Sequence, residues 1–257
     1  RKNESAEVSE MFQEMGINLK VVDASERFFQ ELDGITDPEE KRKIIGEQFI
    51  RVFEDEKKLC GAKFLVQGTI APDWIESGGG ERDVIKSHHN VGGLPDDVEL
   101  DIVEPLREFY KDEVRSIARE LKIKSSERQP FPGPGLAVRV LGDLTKERVE
   151  ACREACSIVE MRLQDAASEG KCDLPWQYFA ALLPVRSVGV HGDARVHGET
   201  VVVRAVTSLD GMSAKYSPIP HDVLSSISTE ITNALKGQVN RVVYDITHKP
   251  PGTIEWE

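Results

Sequence analysis

Along the first half of the chain, short β-branched stretches alternate with longer segments whose apolar positions recur every three or four residues. The pattern predicts a strand at Leu19–Val22, a helix from about Pro38 to Lys57 and a strand at Phe64–Gln67. Strands at Asp83–Ile85 and Ile102–Glu104 follow, then a helix from about Arg107 to Leu121. In that helix Val114, Ile117, Ala118 and Leu121 form one apolar stripe suited to packing on a sheet. Strands alternating with helices point to an α/β fold with a doubly wound, mostly parallel sheet. Ligands in such sheets lie beyond the carboxyl ends of the strands, so the loops after Val22, Gln67, Ile85 and Glu104 become the candidates.

The pattern changes after a block of prolines and glycines, Arg128–Leu136, which cannot lie inside a helix or strand. A helix is expected from about Thr145 to Ser168, with Val149, Cys152, Cys156, Val159 and Leu163 on one side. Two β-rich runs, Ala181–Val190 and Thr200–Thr207, precede a helix from about His221 to Leu235 and a closing strand Arg241–Ile246. Helix, strand, strand, helix, strand describes a small α+β domain with helices on one face of an antiparallel or mixed sheet.

Length and charge sharpen this division. At roughly 150 residues per domain, 257 residues fit one large or two ordinary domains. Up to Lys124 the chain carries 19 basic and 28 acidic side chains, and after it 14 and 17. Two domains, residues 1–127 and 128–257, are therefore expected. The net charge of −12 argues against nucleic acid and against anionic membrane surfaces, because affinity for polyanions comes from many Lys and Arg contacts. Apolar runs such as Phe179–Val185 fall far short of the roughly 20 residues needed to span a bilayer. Cys60, Cys152, Cys156 and Cys172 have no zinc spacing, and Cys152 and Cys156 read as two buried thiols on one helix face. A reducing, cytoplasmic setting follows. The chain opens on Arg1 without an initiator Met, which suggests a further segment upstream.

Four stretches carry candidate chemistry. Gln67–Ser77 follows an apolar strand and sets Asp73 and Glu76 three residues apart, which suits Mg²⁺ ligation or nucleotide hydrogen bonding but equally a solvated acidic loop. The glycines of 78–80 read as a lid; they lack the ending of a Walker phosphate loop. In Ile85–Pro95, Lys86, His88, His89 and Asn90 gather a fixed cation and two titratable rings beside a Gly-Gly hinge, a set able to contact an anion or shuttle a proton. A plain loop is the alternative there, and a metal site lacks a nearby third ligand. Lys111, Asp112 and Glu113 open a helix, where carboxylates complement the helix dipole without any further role. Finally, Lys249–Glu257 has two prolines, a hydroxyl, Ile254, and Trp256 between two acids. That composition predicts a tail tied down rather than frayed, able with Arg241 to supply phosphate and base contacts.

Taken together, VVDASERF, KRKIIG, QGTIAPDWIES, VIKSHHNVGGLP, VEPLREFYKDEVR, RQPFPGPGLAVRVLG, LPVRSVGVHGD and RVVYDITHKPPGTIEWE run in order through the chain. This set resembles the ATP-pyrophosphatase and dimerisation portion of the GMP synthetase family, enzymes that aminate XMP. PFPGPGL and the PPGTIEWE ending are its most specific pieces. A fused glutamine amidotransferase domain has no counterpart here, so the arrangement looks like the archaeal one with a separate glutaminase subunit. The family's SGGVDS pyrophosphate loop has no counterpart either, which leads us to expect an upstream strand–loop–helix unit, or else a truncated form.

The resemblance implies an ATP-pyrophosphatase domain of adenine nucleotide alpha hydrolase type, then a dimerisation domain forming a homodimer. It implies ATP and Mg²⁺ as cofactors and XMP as substrate. By similarity, Asp73, Glu76, Lys86, His88 and His89 belong to a lid, and Lys111, Asp112 and Glu113 to the catalytic site, against the plain helix-dipole reading. Arg42 and Gln67 would belong to the nucleotide and XMP pocket, while Arg128, Arg241, Lys249, Thr253, Ile254 and Glu255 would hold XMP; no protein metal ligand is assigned. Two rivals stand beside this. Another enzyme of the same nucleotide-binding class, such as an NAD synthetase or a tRNA-thiolating adenylase, would lack the KPPGTIEWE ending. A non-catalytic XMP-binding or dimerising fragment, or a partner of a glutaminase, would lack a complete ATP site.

Overall fold

A computed structural model describes residues 1–72, 101–123, 129–209 and 211–257. The chain forms two compact units: Arg1–Asp23, Asp33–Thr36 and Gly135–Glu257 make one, Ala24–Leu32 and Asp37–Pro134 the other. Among the described residues no helix is long and apolar enough to cross a membrane.

The unit containing the C-terminal half is built on a mixed sheet. It opens with α1 (Glu4–Glu14), whose start is tied to α5 (Lys146–Ser168) by an ion pair from Lys2 to Glu154 at 2.6 Å. Thr145 caps α5, accepting the Arg148 N–H at 3.2 Å, as its hydroxyl at the head of an apolar run leads one to expect. Strands β3 (Gln177–His191) and β4 (Ala194–Thr207) form a long antiparallel hairpin. The two-residue β5 (Lys215–Tyr216) pairs antiparallel with the end of β4. After α6 (His221–Ala234), β6 (Val239–Tyr244) returns parallel to β4 along residues 199–203.

The core lies where α5 and α6 cover this sheet. Ala151, Cys152, Ala155, Cys156, Val159 and Leu163 of α5 and Val223, Ile227 and Ile231 of α6 are buried. Cys156 donates to the Ala180 carbonyl at 3.1 Å, so Cys152 and Cys156 are the enclosed thiols expected, facing β3. Tyr178–Leu182 of β3 and Val201–Val206 of β4 are buried at every position. A strand turns alternate side chains to opposite faces, so an uninterrupted buried run means that the second face is covered too. The cover is the C-terminal segment, described below.

The other unit packs α2 (Ser25–Glu31) on α3 (Pro38–Cys60). Phe28 meets Phe49 edge to face with centroids 5.2 Å apart, and Arg27 Nε donates to Gln48 Oε1 at 2.6 Å. Asp37 caps α3 and Pro38 occupies its first turn. A single parallel pair, β1 (Phe64–Val66) with β2 (Asp101–Val103), is the sheet among this unit's described residues. The helix α4 (Lys111–Glu120) follows.

Among the described residues the doubly wound sheet expected here is not seen; their architecture is mixed α/β with parallel and antiparallel pairing. Two of the four expected strands account for the difference. Leu19–Val22 is irregular chain in the other unit, with Val21 65% exposed and no strand beside it among the described residues, so β-branched propensity alone did not make it a strand. Asp83–Ile85 lies outside the described residues. The apolar stripe of α4 also differs from expectation: Ile117 and Leu121 remain exposed rather than packed on a sheet.

Candidate functional site

The segment after β6 crosses the sheet face opposite the helices as a strap. Asp245 starts it by accepting the Thr247 N–H at 2.8 Å, closing a two-residue side-chain turn. Lys249 exchanges backbone hydrogen bonds with Ala214, at 2.8 and 3.0 Å, and its Nζ donates to the Gly211 carbonyl at 2.8 Å. The Lys249–Pro250 and Pro250–Pro251 peptide bonds are cis. Gly252 N–H returns to the His248 carbonyl at 3.0 Å, and the His248 ring stacks on Tyr216 with centroids 5.3 Å apart.

Two buried arginines hold this strap. Arg204, in the middle of β4 and 0% exposed, donates from Nη1 to Thr247 O at 2.7 Å, from Nη2 to Thr253 O at 2.8 Å and from Nε to Ile254 O at 3.2 Å. Its counter-charge is Asp245, 3.0 Å away, which also accepts from Trp256 Nε1 at 3.1 Å. Arg139, 1% exposed, lies over the Phe179 ring at 4.1 Å and makes two parallel bonds to Glu255, at 2.8 and 3.0 Å. Gln177 Nε2 adds a third bond to the same carboxylate at 2.8 Å. Burial pulls the Arg139 guanidinium down, but the adjoining Glu255 carboxylate more than offsets it and holds the group above the ordinary arginine range. The Arg139 guanidinium therefore stays charged beneath the strap.

The structure thus brings Lys249, Thr253, Ile254 and Glu255 together. The Thr253 hydroxyl is engaged with the Glu255 carbonyl. Arg241, four positions before Asp245 in an extended stretch, falls on the strap side by strand alternation; it is exposed, and its Nε donates to Ser187 Oγ at 3.3 Å. Sequence reading missed Arg139, Gln177, Arg204 and Asp245. A signal was present: VVVRAV and LAVRVL each set one arginine within an apolar run, and a cation there must be paired if the run is buried.

In the other unit, Gln67 leaves the carboxyl end of β1, its N–H bonded to Val103 O at 2.9 Å; its buried side-chain oxygen finds no hydrogen-bond partner among the described residues. Beside it, at the end of β2, a hydrogen bond from Thr69 and then the Arg107 guanidinium hold the Glu104 carboxyl below the usual carboxylate range. These strand ends are where a ligand of a parallel sheet would lie, and Thr69 and Glu104 were not singled out from sequence. Arg42 pairs with Glu39 along α3. Lys111, Asp112 and Glu113 are exposed in the first turn of α4, where Glu113 accepts the Tyr110 N–H at 2.7 Å as a helix cap. Asp73, Glu76, Lys86, His88, His89 and Arg128 lie outside the described residues. Among the described residues no three His, Cys, Asp or Glu side chains converge to hold a metal ion.

Comparison with known proteins closes the question of descent. Residues 164–256, which include all four strands of the sheet and all but the last residue of the strap, match the family described as GMP synthase C terminal domain. The chain is 54% identical over 258 residues to a protein of Thermoplasma volcanium named as one subunit of a glutamine-hydrolyzing GMP synthase, covering all of this chain and 82% of that protein. It is 57% identical over 260 residues to the protein of the same name in Thermococcus kodakarensis, at full coverage here and 81% there. Against the undivided glutamine-hydrolyzing GMP synthase of Clostridium perfringens it is 54% identical over 261 residues, spanning 50% of that longer protein. Identity of this order from end to end of the chain, strap included, places it in the GMP synthase family, alongside the archaeal proteins that form one subunit of a divided enzyme.

Proposed function

We propose that this chain is the synthetase subunit of GMP synthase: it aminates XMP to GMP at the expense of ATP, which leaves as AMP and pyrophosphate. The observation that carries this reading is the C-terminal strap, whose KPPGTIEWE sequence is fixed over the sheet by two buried arginines, Arg139 and Arg204. The names of the relatives favour the synthetase over a non-catalytic partner or fragment.

The reaction runs in two steps. The C2 oxygen of XMP attacks the α-phosphorus of ATP, and the bond to pyrophosphate breaks. Ammonia then adds at C2 and AMP departs with the oxygen. Because water would hydrolyse the adenylated intermediate, the site must close during the first step. In this reading Lys86 neutralises charge developing on the α-phosphate, and His88 or His89 binds phosphate or moves a proton. Asp73 and Glu76 would position the lid or a water-ligated Mg²⁺, and Lys111, Asp112 and Glu113 stand at the same site. Arg42 and Gln67 serve the nucleotide pocket. Arg128, Arg241, Lys249, Thr253, Ile254 and Glu255 hold the XMP phosphate and base edge, Glu255 being already oriented by Arg139 and Gln177. Mg²⁺ bound to the triphosphate would supply positive charge that offsets its negative charge.

The unit holding β1 and β2 is, in the same reading, the ATP-pyrophosphatase domain with a doubly wound sheet. Phe64, Val66, Ile102 and Val103 are exposed apolar residues on a parallel pair, and parallel strands are ordinarily covered on both faces. The C-terminal unit forms a homodimer, for which the exposed Val185, Val188 and Val190 of the β3–β4 hairpin offer apolar surface. Ammonia comes from a separate glutamine amidotransferase subunit in the cytoplasm.

Calorimetric titration of XMP and of Mg·ATP, with ammonium chloride as nitrogen source in an amination assay, tests the reading. XMP binding that is lost in Arg241→Ala is expected. A chain that binds no XMP overturns it.

A further inference from the structure

We propose that Arg204 is a positioning residue for the nucleotide site: it shapes the strap from beneath before any nucleotide arrives. The inference deepens the proposed function and rests on it. One planar guanidinium meets three main-chain carbonyls, that of Thr247 and those of Thr253 and Ile254 six and seven positions further on, and pairs with Asp245. Strands and helices satisfy their carbonyls through neighbouring backbone, but in the strap Pro250 and Pro251 have no N–H, and those of Thr247 and Lys249 go to Asp245 Oδ1 and Ala214 O. Arg204 supplies donors from a rigid fork, so the carbonyls turn toward the sheet and the loop between them takes one shape. That loop carries Lys249, and Thr253 and Ile254 are themselves among the bonded residues. Residues that would otherwise have to be ordered when the nucleotide binds are ordered in advance, and binding then loses less conformational freedom.

Lysine keeps the charge at this position but presents a single point of donation, which cannot span carbonyls on both arms of the loop. The test is hydrogen exchange of the full chain with and without Arg204→Lys, read together with XMP titration and amination kinetics. In the wild type the amides of Thr247, Lys249 and Gly252 should exchange slowly without nucleotide. In Arg204→Lys they should exchange about tenfold faster, the XMP Kd and KM should rise about tenfold, and kcat at saturating XMP should hold within about twofold. Amides of Val201–Val203 in β4 serve as the fold control. If Arg204→Lys disrupts these as well, Arg204→Gln, a smaller neutral side chain able to donate to one carbonyl at most, decides: faster strap exchange with weakened XMP binding supports the role, and an unchanged strap overturns it. A strap already exchanging freely in the wild type also overturns it, as does a loosened strap with unaltered XMP affinity. Failure of the underlying reading is separable, because it shows in the wild type as absent XMP binding beside a protected strap.

Discussion

Replacing Glu255 by Gln removes the charge from a carboxylate that takes three hydrogen bonds, two from Arg139 and one from Gln177. Arg139 is 1% exposed and Glu255 keeps 19% of its side chain accessible, so the partner left behind is the more enclosed of the two. Breaking a buried pair from one side costs about 3–5 kcal/mol; because water reaches one flank of Glu255, we expect the lower end, about 3 kcal/mol. Arg139→Met removes the cation and leaves a carboxylate that can rehydrate, at about 2 kcal/mol. In the double variant neither charge is stranded, so the two losses should not add, and a coupling of about 2 kcal/mol is expected. Urea unfolding followed by tryptophan fluorescence in a Trp74→Phe background measures this, since Trp176 and Trp256 both belong to the strap's unit. A coupling below about 0.5 kcal/mol would show that the pair is a solvated surface contact and would refute the account of a strap held by buried charge.

Two further outcomes follow from titrating groups in the same unit. Burial, offset in part by Arg1, raises the Glu160 carboxyl above its ordinary 4.5, so the native state binds more protons than the unfolded one just above that value. Stability should therefore fall as pH rises from about 4.5 through the raised native value and then level off, a slope that Glu160→Gln should abolish in urea midpoints measured across the window. Burial likewise holds the Tyr244 phenol, which donates to Ser217 O, well above 10. Stability present below pH 10 should decline as pH rises above it, and Tyr244→Phe should lose the hydrogen bond at neutral pH while removing that alkaline decline.

The order of elements in the C-terminal half was legible because its signals agree, though β4 starts six residues before the expected Thr200 and the two-residue β5 was not foreseen. A hydroxyl cap at Thr145, apolar spacing through Leu163 and β-rich runs all point the same way, and α5, β3, β4, α6 and β6 follow in the expected order. The start of β3 was placed at Ala181 rather than Gln177, since a run buried on both faces has no alternation to mark where it begins. The front half read less well. Helix α1 buries no residue and α2 has seven residues, so neither carries an apolar stripe strong enough to announce itself. Among candidate site residues, the tied-down tail was readable from its prolines and its mixed composition. The arginines beneath it were not, because strand propensity treats an isolated charge as an interruption, whereas its meaning depends on a partner far along the chain.

That dependence runs in both directions. A guanidinium inside a valine-rich strand is tolerable only where carbonyl and carboxylate acceptors meet it, and Arg204 takes all of those noted above from residues 245–254. The strap, in turn, has no helical or strand ladder over most of its length to satisfy its own carbonyls. An apolar residue in place of Arg204 would fill the strand better and leave three carbonyls facing hydrocarbon, so any gain in strand packing is offset at the strap. Buried charge does not by itself add stability over a well-packed apolar core. What it provides in this fold is direction: donors on a fixed fork admit one course for the chain crossing above them, where an apolar surface would accept several. The residues proposed to meet the nucleotide lie on that course, which ties their placement to the sheet rather than to the ligand.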